Sequence, residues 1–226
     1  MNHNLTVTKR HGRTEPIDLE KIHRVITWAA EGLDNVSVSQ VELKSQIQFY
    51  DGITTSDIHE TMIKASADLI SEETPDYQYL AARLAIFHLR KKAYGQYEPP
   101  ALFDHVAKLV DMGKYDQHLL EDYSREEFEL MDSFIDHKRD LDFSYAAVKQ
   151  LEGKYFVQNR VTKEIYESAQ FLYILVAACL FSKYPRETRL DTFVVSTMRY
   201  LRLRSLCQRQ SCLVCAPLLA SSAHAC

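Results

Sequence analysis

The sequence predicts a mainly α protein in which a β-hairpin sits on a four-helix cluster, followed by a second, longer helical region. Three observations predict it. Side chains alternate on either side of His11-Gly12, the pattern of two strand pieces around a tight turn. Four stretches between Lys21 and Tyr94 repeat apolar residues at helical spacing. Gly95 and Glu98-Pro99-Pro100 then interrupt the pattern before helical spacing resumes.

The elements follow in chain order. Val7 to Glu15 forms the hairpin, with Gly12 able to take the positive φ of the turn. Asp18 is placed to cap the first helix and to set a carboxylate at the positive end of its dipole. Ile22, Val25, Ile26 and Ala29 make the inner face of that helix, with Trp28 beside them and Gly32 as its stop. Ser39 with Glu42 reads as a capping box for a second helix, with Val41, Ile47 and Phe49 inward. Asp51-Gly52 is a turn. Thr55 or Ser56 starts a third helix containing Ile58, Met62, Ile63, Ala65, Leu69 and Ile70. Pro75-Asp76 opens a fourth, through Leu80, Leu84, Ile86, Phe87 and Leu89 to about Tyr94.

Beyond the break, Phe103–Met112, Arg125–Ile135 and Tyr145–Leu151 are helix-like. The segments 154–157 and 164–166 flank Asn159–Lys163 in the pattern of a second hairpin. Ser168 caps an apolar helix from Phe171 to Phe181, and Pro185 begins another. Glu121-Asp122 and Asp140 with Asp142 read as acidic pairs of solvated loops, and no catalytic constellation stands out.

A chain of 226 residues with 46% hydrophobic and 26% charged residues can bury a real core. Its net charge of -4 gives no reason to expect nucleic acid across the surface. No apolar run reaches the length of a membrane span, and no signal-peptide core opens the chain, so the expectation is a cytoplasmic protein.

The chemistry concentrates near the start. Lys9, Arg10 and Lys21 converge on the turn and the first helix N-terminus. Cationic side chains beside free backbone N–H groups suit a phosphate chain, so nucleotide binding is the first expectation. The plainer reading, a solvated hairpin tip, stands beside it. His59 and His88 fall on the third and fourth helices, where a lone histidine is more often a core or surface residue than a ligand.

Val7-x-Lys9-Arg10-x-Gly12-x-x-Glu15-x-Ile17-Asp18-x-x-Lys21-Ile22 resembles the opening of an ATP-cone, the regulatory nucleotide-binding domain of ribonucleotide reductases. Thr55-Ser56-Asp57-Ile58-His59 and Arg83 to Tyr94 sharpen the likeness to the large (α) subunit of the enterobacterial aerobic, class I enzyme. It continues through Phe143–Ala147, Leu151–Tyr155 and Glu167–Gln170 to Tyr184–Leu190. The resemblance implies an ATP-cone over residues 1–95. It also implies that 96–191 is an incomplete helical part of the domain that becomes a ten-stranded α/β barrel in the family.

Carried over position by position, the resemblance implies an allosteric site for ATP as activator or dATP as inhibitor, with or without magnesium. Its contacts are Lys9, then Glu15, Pro16, Ile17, Asp18, Leu19, Glu20 and Lys21, then Thr55 and Lys91; Arg10, His59 and His88 are weaker candidates. Lysines answer phosphates, the 15–21 segment lies along base and ribose, and the Thr55 hydroxyl contacts the ligand or caps its helix. Family partners are a second large subunit and the small radical-generating subunit, with neither nucleic acid nor membrane.

The family's reaction converts ribonucleoside diphosphates to deoxyribonucleoside diphosphates, with thioredoxin or glutaredoxin as reductant. It needs the barrel, a thiyl-radical cysteine, a reducing cysteine pair, and Asn and Glu on a finger loop. The expectation is therefore a truncated large subunit with the effector site, no catalytic residues, no metal site and no catalytic cofactor. The alternatives are a stand-alone ATP-cone regulatory module, or a remnant without function whose helices over 100–190 have lost the barrel they pack on.

The tail has another composition. Residues 192–226 carry Arg199, Arg202, Arg204 and Arg209 and no acidic residue, with Cys207, Cys212, Cys215 and Cys226. Those thiols with His224 offer a zinc-like spacing. An out-of-frame origin accounts for more: family codons for Leu-Pro-Thr-Pro-Ile-Met, read one base late, spell Cys207 to Cys212. Those for Arg-Gln-Phe-Ser-Ser-Cys spell Ala220 to Ala225. On that reading the tail is poorly packed and Cys226 is not the family's catalytic cysteine. Sequencing the coding DNA is expected to show family codons in the alternate frame downstream of about codon 192; their absence removes the idea.

Overall fold

A computed structural model describes residues 5–190, which divide into two units: 5–97 with 138–166, and 98–137 with 167–190. The expectations about the tail lie outside the described residues.

In the first unit, β1 (Thr6–Thr8) runs between two partners. β2 (Thr14–Pro16) pairs with it antiparallel, Val7 opposite Glu15. Gly12 turns the chain at φ 77°, while Lys9 and Arg13 close the hairpin through a 2.8 Å backbone bond. β3 (Ile53–Thr54), which the sequence pattern does not announce, adds parallel on the other edge. Asp51 fixes it there by accepting from the Thr6 amide at 2.9 Å and the Thr6 hydroxyl at 2.7 Å.

Helices follow the expected order. α1 (Leu19–Ala30) is capped by Asp18, whose carboxylate accepts from the Lys21 amide at 3.1 Å; Ile22, Ile26 and Ala29 are buried. α2 (Val38–Gln46) begins two residues earlier than the sequence pattern suggests, because Ser37 supplies the cap and Ser39 lies exposed inside the helix. Val41 and Ser45 form its buried face, four residues apart. Ile47, expected inward, falls on the opposite side and is 77% exposed, whereas Phe49 is buried.

α3 (Thr55–Ala67) is capped by Thr54. α4 (Tyr77–Tyr94) is the centre of the unit and packs against α1, α3 and α8 (Tyr145–Lys154). Burial runs around it rather than along one stripe, taking in Leu80, Ala81, Ala82, Leu84, Ala85 and Ile86. Gly95 ends it in the left-handed region, φ 76°, and its amide bonds the Lys91 carbonyl.

Two arginines of α4 tie residues 138–166 into this unit. Arg83 donates to the Ala29 and Glu31 carbonyls and, through Nε, to the Leu141 carbonyl at 3.2 Å. Arg90 bonds Asp140 at 2.9 Å with both side chains buried. Asp140 is therefore a core ion-pair partner, not a solvated loop residue. It lies on a short 3₁₀ stretch, His137–Asp142. The expected second hairpin reduces to one antiparallel bridge, Gln158 with Ile165, because α8 claims the chain through Lys154.

The second unit contains α5 (Leu102–Asp111), α6 (His118–Asp122), α7 (Arg125–Ser133) and α9 (Ala169–Phe181); residues 186–190 are also helical. Ser124 and Glu127 form a capping box on α7. The same Glu127 receives Arg189 on both oxygens at 2.8 Å, and that guanidinium lies 4.1 Å over the Tyr123 ring. Burial pushes the Tyr123 hydroxyl up to about 12; it donates to the Ala178 carbonyl.

Removing one member of a buried ion pair strands the other charge in a dry site. Asp140→Ala is expected to destabilise the first unit by about 3–5 kcal/mol, read as a lower urea midpoint, while Glu73→Ala at an exposed position of the same unit leaves the midpoint near wild type.

Candidate functional site

Four parts of the first unit meet around one cavity of ≈ 170 Å³. The hairpin contributes Val7, Lys9 and Glu15; the entry to α1 contributes Ile17, Asp18, Lys21, Ile22 and Val25. α3 adds Thr55, Ile58, His59 and Met62, and α4 adds Phe87 and Lys91. The sheet register sets Glu15 opposite Val7, two residues from Lys9, and Lys9 Nζ reaches Glu15 Oε1 at 2.8 Å. That bond holds the Glu15 carboxyl below its ordinary value, with Lys21 and Arg13 adding to the effect.

The α1 N-terminus supplies a second cation–carboxylate pair. Asp18 accepts from the Lys21 amide and faces Lys21 Nζ at 3.3 Å, and those contacts hold its carboxyl low. On the opposite wall, Lys91 Nζ lies 4.6 Å over the Phe87 ring. Burial lowers its pKa, and the nearby Arg10 and Lys9 lower it further. Cations thus outnumber the partners that neutralise them, which suits a polyanion. The floor is apolar, from Val7, Ile22, Val25, Ile58, Met62 and Phe87.

The sequence-derived positions separate into two groups. Lys9, Glu15, Ile17, Asp18, Lys21, Thr55, His59 and Lys91 line the cavity. Pro16, Leu19 and Glu20 do not; their side chains alternate outward and are exposed. Arg10 also stays off the wall, because its guanidinium donates to the Lys91 carbonyl in the last turn of α4. His88 lies behind His59, ring centroids 5.4 Å apart. The Thr55 hydroxyl donates to the Thr8 carbonyl at 3.4 Å, while Thr54 serves as the helix cap. The apolar floor residues had no functional signal in the sequence; they read as ordinary core faces.

His59 and His88 are both buried. Burial lowers the pKa of His59 to about 3, helped by His88, Lys91 and Arg10. Burial likewise lowers His88 to about 4, with Lys92, Arg10 and Lys149 contributing. Both imidazoles are neutral at ordinary pH.

Residues 5–92 match the ATP cone domain family, so the chain carries an ATP cone domain. Over 191 residues it is 81% identical to ribonucleoside-diphosphate reductase 1 subunit alpha of Escherichia coli (strain K12), covering 84% of this chain and 25% of that protein. Identity to the subunit alpha of Haemophilus influenzae is 78% over 191 residues, with the same shares. To that of Enterobacteria phage T4 it is 45% over 183 residues, 80% of this chain and 24% of the relative. In the enterobacterial alpha subunit the matching region is the N-terminal one. The chain spans about a quarter of the length of the curated relatives it matches.

The two histidines fix a pH dependence. Their folded-state pKa values lie below the ordinary 6.5, so as pH falls from 6.5 the unfolded chain takes up protons that the folded one refuses. Stability of the first unit is expected to fall over that window by about 1.4 kcal/mol per pH unit for each histidine, flattening near pH 4 and then near pH 3. Urea titrations at stepped pH measure it; His59→Gln is expected to lose one histidine's share of the slope, and an unchanged slope contradicts the assignment.

Proposed function

We propose that the ATP cone domain of this chain binds ATP or dATP as an allosteric effector, with or without magnesium, in the cavity at the start of α1. The observation that carries the reading is the convergence of Lys9, Lys21 and Lys91, from the hairpin, α1 and α4, on one apolar-floored cavity within a domain of that family. In this reading Lys9 and Lys91 hold the phosphates, and the 15–21 segment faces base and ribose. Phosphate oxygens displace Glu15 and Asp18 from their lysines, freeing carboxylates to accept from the amino group of a base. Thr55 offers a hydroxyl to the sugar.

The function proposed is regulatory binding, and no catalytic step is assigned to the described residues. The relatives are named as alpha subunits of ribonucleoside-diphosphate reductase, so the activity that such a site modulates is proposed to be that of a reductase assembly. Pairing with a second large subunit and with a radical-generating small subunit belongs to the same proposal.

Titrating the purified chain with ATP and with dATP while following thermal unfolding tests it. A ligand that binds only the folded state stabilises it by about 2.7 kcal/mol at a hundred times its Kd, so the melting temperature is expected to climb with concentration. Lys9→Ala and Lys91→Ala each remove a phosphate partner, and each is expected to weaken the response at least tenfold in ligand concentration. No shift with either nucleotide, or normal responses from both variants, overturns the site.

A further inference from the structure

The histidine pair behind the cavity is built unlike the rest of the site. His59 forms part of the wall, and its ring lies 5.4 Å from that of His88 at a 31° tilt. Nδ1 of each is buried without a hydrogen-bond partner among the described residues. His88 Nε2 stands 3.6 Å from Glu60 Oε1, too far for a hydrogen bond but within reach of an ion pair if the ring were charged. Glu60 meanwhile holds Lys92 at 3.1 Å. Two adjacent imidazoles with buried, unpartnered nitrogens and a carboxylate at hand are equipped to take up a proton.

The surrounding charge decides whether it fills. Glu60 faces the pair from α3, Lys91 and Lys92 from α4, and Arg10 from the hairpin. Lys149 faces it from α8 and is itself bound to Glu152 at 2.7 Å. This ring of cations, added to burial, keeps the pair neutral in the free protein. Of the cavity lysines, Lys9 and Lys21 already hold carboxylates, so a triphosphate brings more negative charge than the site can cancel.

We propose that a nucleoside polyphosphate entering this cavity places one proton on the His59–His88 pair, so that effector binding is coupled to proton uptake. The inference rests on the nucleotide-site reading above. His88 lies one ring behind the wall; two uncompensated negative charges of the triphosphate at about 10 Å from it, at an effective dielectric of about 20, together raise its proton affinity roughly a hundredfold. The two rings titrate as a coupled unit. The proton settles on His88, where Nε2–H donates to Glu60 and loosens the hold of Lys92 on that carboxylate. By linkage, binding gains a component that strengthens as pH falls.

Calorimetric titration of the full chain with ATP at about pH 6 and about pH 8, each in two buffers of different protonation enthalpy, counts the protons directly. Proton release from the nucleotide's terminal phosphate is common to all variants and cancels in the difference. Relative to Glu60→Gln and to His88→Gln, the wild type is expected to take up roughly half a proton or more per nucleotide at pH 6 and close to none at pH 8. Glu60 is exposed, so Glu60→Gln carries the test if His88→Gln fails to fold. ATP binding with the same proton count in wild type and in every folded variant overturns the coupling and leaves the nucleotide site standing. No binding heat and no thermal shift at either pH removes the nucleotide site, and the coupling with it.

Discussion

The first unit depends on burying α4 on every side. A helix with one apolar stripe lies on a surface; α4 has core residues all round and packs against α1, α3 and α8. Its polar residues therefore need partners supplied from elsewhere. Arg83 finds carbonyls at the end of α1 and at Leu141, and Arg90 finds Asp140. Lys91, one position on, faces the cavity. The constraint that builds the core also aims a cation into the site. Shifting the register of α4 by one residue would lose the Arg90–Asp140 pair and the placement of Lys91 together.

Electrostatics inside the cavity follow from how its lysines are held. Lys9 and Lys21 each rest on a carboxylate in their own segment, which keeps two mutually repelling cations in place without a ligand. Those exposed pairs are weak individually, so they yield to phosphate readily. Asp18 is better retained than Glu15, because one oxygen caps α1 whichever partner the other takes. A polyanion can thus exchange with the Lys9–Glu15 contact while leaving the helix start intact. The hairpin is the part of the site that has to give.

How much of this was legible in the sequence varies by interaction. The order of the four helices, the Gly12 turn, the Asp18 cap and the Gly95 stop all rest on local rules, and a local rule can be read from a few neighbouring residues. Long-range pairings leave no such trace. Asp140 reads as one of several loop acids until Arg90 is known to face it, and β3 is two residues long, below the length at which alternation means anything. Ile47 reads inward on its apolar character alone, but it follows the last residue of α2 and falls on the side opposite Val41 and Ser45, which local spacing does not reveal. At the site, Lys9, Glu15, Asp18, Lys21 and Lys91 are named through resemblance to a family motif and line the cavity, whereas Arg10 and Glu20, named with them, do not. The apolar floor and the true neighbours of His88 come from packing.

That floor couples the site to the fold. Val7, Ile22, Ile58 and Met62 face the cavity and are also buried core residues of the strand and helices that carry them. A cavity made from core residues does not exist before the core does, so a ligand there stabilises the folded unit rather than merely decorating it. The effect is directional. The hairpin joins the helices through the short pairing of β1 with β3, the Asp51–Thr6 contacts and the Arg10 bond to the end of α4. A nucleotide held by Lys9 on one side and Lys91 on the other would add a second bridge across that gap. Occupancy, on that reading, would stiffen the hairpin against α4, the helix to which the 138–166 segment is clamped through Arg83 and Arg90. On the proposed reading, an effector bound at the edge of the unit would thereby act on its central helix.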